Sequence, residues 1–125
     1  MKRIYIADDD AAIRQFMELA LGDSYDVETY KTGDLLVQRI EDGDLPDLVM
    51  TDTDMPGMRG YDVCSEARKR NILVIGMSGH DVEGARSSRY LRLGAVDFLE
   101  KPFPLKDLLG KVENVLNEGE SQETE

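Results

Sequence analysis

The chain has 125 residues, enough for one domain with a core of its own. Hydrophobic residues make up 41% and charged residues 33%, an ordinary globular balance that excludes a disordered or fibrous chain. With 26 acidic against 15 basic residues the formal charge is −11, which argues against direct binding of nucleic acid or of an anionic membrane.

A single cysteine, Cys64, excludes an internal disulfide and a cysteine-based zinc site. No apolar run approaches the roughly 20 residues that cross a bilayer. The amino terminus meets acid at Asp8 before any long apolar stretch, so no signal peptide is expected and a cytoplasmic location is.

Residues 3–7 form a short β-branched and aromatic run that stops at three aspartates and reads as a buried strand. Asp9 or Asp10 can cap the helix that follows, whose apolar face is Ile13, Phe16, Met17, Ala20 and Leu21. Gly22 ends it. Residues 26–30 alternate and predict a more exposed, edge-like strand, followed by a helix from Thr32-Gly33 carrying Leu36, Val37 and Ile40. A second buried strand over 48–51 ends at Asp52. Met55 to Gly60 is a loop by its proline and two glycines, and 61–70 is a helix with Val63, Cys64 and Ala67 inward. The strongest strand spans 72–77 and ends at Ser78-Gly79. A helix over 82–93 stops at Gly94, and a short strand over 96–100 ends at Lys101-Pro102. Leu105, Leu108, Leu109, Val112 and Leu116 mark a last amphipathic helix. One domain is expected over residues 1–118, with an acidic, disordered tail over 119–125.

Strands alternating with helices predict a parallel sheet covered on both faces, with right-handed crossovers. Ligands of such sheets sit outside the carboxyl ends of the strands. There the sequence gathers Asp8, Asp9, Asp52, Ser78 and Lys101. Converging carboxylates raise one another's pKa unless a cation neutralises them, and an oxygen-only cluster suits Mg²⁺. A lysine and a hydroxyl beside that ion complete a pocket for a dianionic group. Asp52, alone at the end of a central strand, is the best nucleophile toward phosphorus. Asp8 and Asp9 are better suited to holding the metal.

The order Ile6-Ala7-Asp8-Asp9-Asp10, residues 47–52 ending in Asp52, Met55-Pro56-Gly57, Met77-Ser78-Gly79, Gly94-Ala95 and Phe98-Leu99-Glu100-Lys101-Pro102-Phe103 resembles the receiver domain of two-component response regulators. The resemblance covers residues 2 to 117. It implies an α/β, flavodoxin-like, doubly wound five-stranded parallel sheet of strand order 2-1-3-4-5, (βα)5, in a stand-alone single-domain regulator. It implies that Asp52 is the phosphoacceptor and a metal ligand. Asp9 would bind Mg²⁺ directly, Asp8 through water, and Asp54 through its backbone carbonyl. Ser78 would be the switch hydroxyl, Phe98 the switch aromatic and Lys101 the phosphate-binding lysine. The Lys101-Pro102 bond is a candidate cis peptide.

The implied function is a phosphorelay receiver that takes a phosphoryl group from a histidine kinase or phosphotransfer protein. It would then switch the surface of the fourth helix, fifth strand and fifth helix for a downstream protein partner. Such a protein catalyses its own phosphorylation and dephosphorylation without being a conventional enzyme. The stretch from Asp52 to Ser78 is shorter than the resemblance implies, so a truncated helix or loop is expected between them; that from Ser78 to Lys101 is slightly longer, so an altered loop is expected after the fourth strand. Asp54, two residues past the acceptor, is placed to orient or repel a hydrolytic water.

Taken singly, Ser78 reads as a loop hydroxyl, Lys101 as a surface charge, Cys64 as a buried small hydrophobe and His80 as an exposed loop residue. Arg86, Arg89 and Arg92 read as a solvated basic stripe, with a docking surface as the alternative. The rival function is a haloacid-dehalogenase-like phosphatase using Asp52 and Asp54. An EF-hand loop fails because Val63 stands where a bidentate Glu is needed. A flavin mononucleotide site fails because three aspartates would repel its phosphate.

Overall fold

A computed structural model describes residues 1–117 in full and the backbone as far as Thr124. For the tail expected over 119–125, the side chains and Glu125 lie outside the described residues. In chain order the elements are β1 (Arg3–Ala7), α1 (Ala11–Leu21), β2 (Asp26–Tyr30), α2 (Gly33–Glu41), β3 (Leu48–Asp52), α3 (Gly60–Arg68), β4 (Leu73–Ser78), a 3-10 turn (Val82–Gly84), α4 (Ala85–Arg92), β5 (Asp97–Glu100) and α5 (Leu105–Thr124). All neighbouring strands pair in parallel, in the order β2-β1-β3-β4-β5. This is the doubly wound, flavodoxin-like fold that the resemblance implies.

Strand alternation divides the core in two. Tyr5, Ala7, Val49 and Val74 face Leu36, Val37 and Ile40 of α2, Val63, Cys64 and Ala67 of α3, and Tyr90 of α4. Ile4, Ile6, Leu48, Met50, Ile75 and Met77 face Met17 and Leu21 of α1 and Leu108, Val112, Val115 and Leu116 of α5. The central strand β3 is buried along its whole length, as a strand covered on both faces must be. Each fully buried Ile, Leu or Met side chain contributes about 1.5–3 kcal/mol relative to exposure.

Three expectations need correction. Phe16 is 39% exposed and leans on Phe103 at a centroid distance of 6.3 Å, so the buried face of α1 is narrower than its apolar spacing suggested. Leu105 and Leu109 are exposed, and Val115 takes an inward place on α5. The helix expected from Val82 begins instead at Ala85, because Glu83 (φ 53°) and Gly84 (φ 73°) adopt left-handed backbone that breaks the helical path. The Asp81 carboxylate then accepts the backbone N–H groups of Arg86 (2.8 Å) and Ser87 (3.2 Å), fixing the start of α4. At α1 it is Asp10 that caps, accepting the Ala12 N–H at 2.9 Å.

Among the described residues no helix is long and apolar enough to cross a membrane.

Candidate functional site

Parallel pairing brings the carboxyl ends of β1, β3, β4 and β5 to one edge of the sheet. Asp8 follows β1 directly, and its N–H is held by the Tyr30 carbonyl at 3.0 Å. Asp52 and Ser78 are the last residues of β3 and β4. Lys101 follows β5, its N–H donating to the Ser78 carbonyl at 2.8 Å, and the Lys101-Pro102 peptide is cis. Each side chain is therefore mounted on a strand end that is itself hydrogen-bonded into the sheet.

Asp8 is fully buried and Asp52 is 7% exposed. The Lys101 ammonium lies 2.6 Å from Asp8 Oδ2 and 3.1 Å from Asp52 Oδ1, bridging the two carboxylates. The other oxygen of Asp8 accepts the Asp10 N–H at 2.9 Å. Burial and the Asp8 carboxylate push the Asp52 carboxyl above its ordinary range, against the opposing pull of Lys101. Burial draws the Lys101 ammonium down, but the two carboxylates outweigh it and hold its pKa above the usual value.

Asp8, Asp9 and Asp52 each offer a carboxylate oxygen, and these oxygens lie within 4.8 Å of one another. Three carboxylates against one ammonium leave an excess of negative charge when all are ionised. An all-oxygen, anionic cluster open on the Asp9 side is the donor set a hard divalent ion such as Mg²⁺ takes. The residues present fit that ion.

Ser78 is buried, and its hydroxyl oxygen accepts a hydrogen bond from Arg86 Nη1 at 2.8 Å and a longer one from the His80 N–H at 3.4 Å. The same Arg86 nitrogen is 2.6 Å from Asp54 Oδ2. Arg59 approaches the other oxygen of Asp54 at 3.3 Å. Arg86 and then Arg59 hold the Asp54 carboxyl below the usual carboxylate range. The basic stripe thus divides into three different environments. Arg86 turns into the site, Arg89 stacks over the Tyr61 ring at 3.8 Å, and Arg92 is exposed. A uniform solvated face is the wrong description of it.

The sequence marks Thr53 only as a polar residue where the resemblance favours an apolar one, and assigns no role to Tyr90. Thr53 Oγ1 lies 2.7 Å from the Met77 carbonyl and 2.7 Å from the Tyr90 hydroxyl. A carbonyl can only accept, so Thr53 donates to Met77 and Tyr90 donates to Thr53. Tyr90 is fully buried, with its ring centroid 4.8 Å from Tyr61 and 5.8 Å from Phe98. Phe98 itself is half-buried. No sequence spacing signals these contacts, because each joins elements far apart in the chain. Gly60 permits the close approach: a Cβ there would strike the Asp52 carbonyl oxygen and the Tyr90 hydroxyl.

Beside Lys101 an apolar cleft of about 580 Å³ is lined by Ala12, Ile13, Phe16, Gly79, Pro102 and Phe103. His80 is exposed. Cys64 is buried, which pushes its thiol up to about 11 and removes it from thiolate chemistry.

The family model described as the response regulator receiver domain matches residues 4–113. Among curated proteins, the chain is similar to "Probable transcriptional regulator ycf27" of Pyropia yezoensis, at 37% identity over 92% of this chain and 47% of that protein. The chain spans about half the length of the ycf27 relatives it matches. Among solved structures it is similar to a CheY-like receiver domain protein from Methanospirillum hungatei JF-1, at 31% identity, covering 98% of both chains with a TM-score of 0.88. It is also similar to the BeF3-activated DrrB receiver domain, at 28% identity, covering 94% of this chain and 98% of that one with a TM-score of 0.82.

Proposed function

We propose, from the premise that this chain belongs to the response regulator receiver family of two-component signalling, that Asp52 accepts a phosphoryl group from a histidine kinase or phosphotransfer protein. The observation that carries this reading is the convergence of the Asp8, Asp9 and Asp52 carboxylates with the Lys101 ammonium at one sheet edge. The receiver unit is assigned to residues 1–118.

In this mechanism a carboxylate oxygen of Asp52 attacks phosphorus, a new P–O bond forms, and the bond from phosphorus to the donor breaks. Asp9 and Asp52 would hold Mg²⁺ directly, with the Asp54 carbonyl as a third protein ligand and Asp8 acting through water. The bound ion would offset charge on the phosphoryl oxygens. Lys101 is tethered by Asp8 and would supply a second positive charge to the phosphoryl oxygens. Ser78 donates its hydroxyl to a phosphoryl oxygen.

The new charge and acceptor oxygens then bias a two-state element. In this reading Ser78 moves toward the phosphoryl, Phe98 turns inward, and the α4-β5-α5 surface changes for a protein partner. About 5.5 kcal/mol of differential binding would carry a 1:99 mixture to 99:1. The similar DrrB domain is described as activated by BeF3. Output through protein contact, without direct contact to nucleic acid, accords with the chain's formal charge of −11, and the cytoplasm is the location this reading assigns.

The phosphatase alternative is disfavoured by the environment of Asp54. A general acid must carry a proton, and Arg86 and Arg59 keep that carboxyl ionised.

Intact mass after incubation with acetyl phosphate and Mg²⁺ tests the reading. One added phosphoryl group is expected, absent in Asp52→Asn and absent when EDTA removes the metal. An adduct that survives Asp52→Asn, or multiple turnover on a phosphomonoester, would overturn it.

A further inference from the structure

Arg86 lies outside the ligand and acceptor set, yet it is the one residue of α4 bonded to two groups at the site's edge. Its Nη1 carries two hydrogens. One goes to Asp54 Oδ2 at 2.6 Å and the other to Ser78 Oγ at 2.8 Å. Its backbone is fixed in turn by the Asp81 cap, which accepts the Arg86 N–H at 2.8 Å.

Two consequences follow from the bonding. A serine hydroxyl has two lone pairs and one proton. The Ser78 lone pairs are engaged by Arg86 Nη1 and the His80 N–H, and the nearest acceptor for its proton, the His80 carbonyl, stands at 3.5 Å. The hydroxyl is thereby left to donate, which is what an incoming phosphoryl oxygen requires. Second, the Asp54 carboxylate, two residues past the acceptor, is compensated by a guanidinium instead of facing the approaching dianion bare.

We propose that Arg86 is a positioning residue for phosphoryl transfer: it turns the Ser78 hydroxyl into a committed donor and screens the Asp54 carboxylate from the phosphodonor. This rests on the reading of Asp52 as phosphoacceptor. Arg86 touches neither Asp52 nor the metal-binding carboxylates. It acts through Ser78 and Asp54.

The role has a signature that plain structural support lacks. Removing Arg86 leaves the Asp54 charge with only the longer Arg59 contact at 3.3 Å to offset it, so the loss falls on KM for an anionic donor. That part of the loss must vanish when Asp54 is removed as well. A lysine at the position restores charge but offers a single point in place of the planar fork, so it rescues in part.

The experiment measures phosphorylation rate against acetyl phosphate concentration, with saturating Mg²⁺, for wild type, Arg86→Ala, Arg86→Lys, Asp54→Ala and the Asp54→Ala/Arg86→Ala double variant. Circular dichroism confirms that each is folded. Arg86→Ala is expected to lower kcat/KM about fivefold or more, chiefly through KM, as the loss of charge-assisted bonds implies. Adding Asp54→Ala should recover the KM component, leaving a smaller deficit in the maximal rate from the loosened Ser78. Raising ionic strength should narrow the gap between wild type and Arg86→Ala.

Equal kcat/KM in wild type and Arg86→Ala would overturn the proposal, and so would a loss of the same size with and without the Asp54 side chain. A different outcome marks failure of the underlying reading. Wild type that takes no phosphoryl group and shows no thermal shift with beryllofluoride and Mg²⁺ would overturn the phosphoacceptor assignment, and this inference with it.

Discussion

Tyr90 of α4 donates its hydroxyl to Thr53, the residue next to Asp52, at 2.7 Å. The helix on the proposed output face is thus bonded to the end of β3, the strand that carries the proposed acceptor, through one buried oxygen pair. Thr53 donates its own hydroxyl hydrogen bond to the Met77 carbonyl, also at 2.7 Å, so three elements meet at this point. Tyr90→Phe keeps the ring and removes only the donated bond. Thr53 retains its bond to Met77, so the loss is that of a single net hydrogen bond, about 1 kcal/mol. Urea unfolding should show a lower midpoint with an unchanged slope. An unchanged midpoint would mean that this bond contributes nothing to holding α4.

The Tyr90 ring has room only because residue 76 is glycine. A Cβ at Gly76 would meet three Tyr90 ring atoms at 2.5, 2.6 and 2.7 Å, and an aromatic ring packed against Tyr61 and Phe98 has little freedom to retreat. Gly76→Ala is expected to destabilise by about 1–3 kcal/mol through overpacking. Shrinking the ring should relieve it, so Tyr90→Leu in the Gly76→Ala background should cost less than the sum of the two single changes. Strict additivity in thermal melts would show that the two positions do not press on each other.

These contacts mark the boundary of what the sequence discloses. Strands at 3–7 and 26–30 could be read to the residue, since a β-branched run ending in acid and an alternating edge pattern are local signals. The edge cluster was legible for a similar reason: in a parallel sheet, polar residues at successive strand ends must converge. The aim of Arg86 was not legible. It depends on where α4 begins, and that is set by left-handed backbone at Glu83 and Gly84 together with the Asp81 cap. A stripe at helical spacing gives the face of a helix and says nothing of a start displaced by three residues. Gly76 and Tyr90 are complementary only in three dimensions. Phe16, Leu105 and Leu109 obey the apolar period and still face outward, because period reports amphipathicity without the width of the covering surface.

The outward Phe16 has its own consequence. It lines, with Phe103, the apolar cleft that opens beside Lys101. A protein donor that delivers a phosphoryl group to Asp52 must crowd this rim, whereas acetyl phosphate is too small to touch it. Phe16→Ala is expected to slow transfer from a phosphorylated kinase or phosphotransfer domain severalfold and to leave the rate with acetyl phosphate within experimental error. Equal slowing with both donors would assign Phe16 to the fold, and no slowing with either would remove the cleft from the docking path.

The raised pKa of Asp52 makes a prediction whose sign can be fixed. Burial and Asp8 disfavour the ionised carboxylate in the folded, metal-free protein more than Lys101 favours it. Ionisation of Asp52 therefore costs stability. Below the unfolded value of about 3.9 the carboxyl is protonated in both states and the cost is absent. It grows as pH rises from there through the raised folded value, and is complete above it. Asp52→Asn removes the charge, so in EDTA at neutral pH it should melt higher than wild type. The advantage should shrink as the pH is lowered toward the unfolded value. Mg²⁺ should reverse the order of gain, because the ion binds ionised carboxylates in the folded state alone. At a hundredfold excess over Kd it would add about 2.7 kcal/mol to wild type, and less to the variant that has lost a ligand. Thermal melts of both proteins, with EDTA and with Mg²⁺, across neutral to acid pH give all four arms. If Asp52→Asn melts no higher than wild type in EDTA at neutral pH, the Lys101 ammonium already compensates the pocket, and the electrostatic case for a metal there falls.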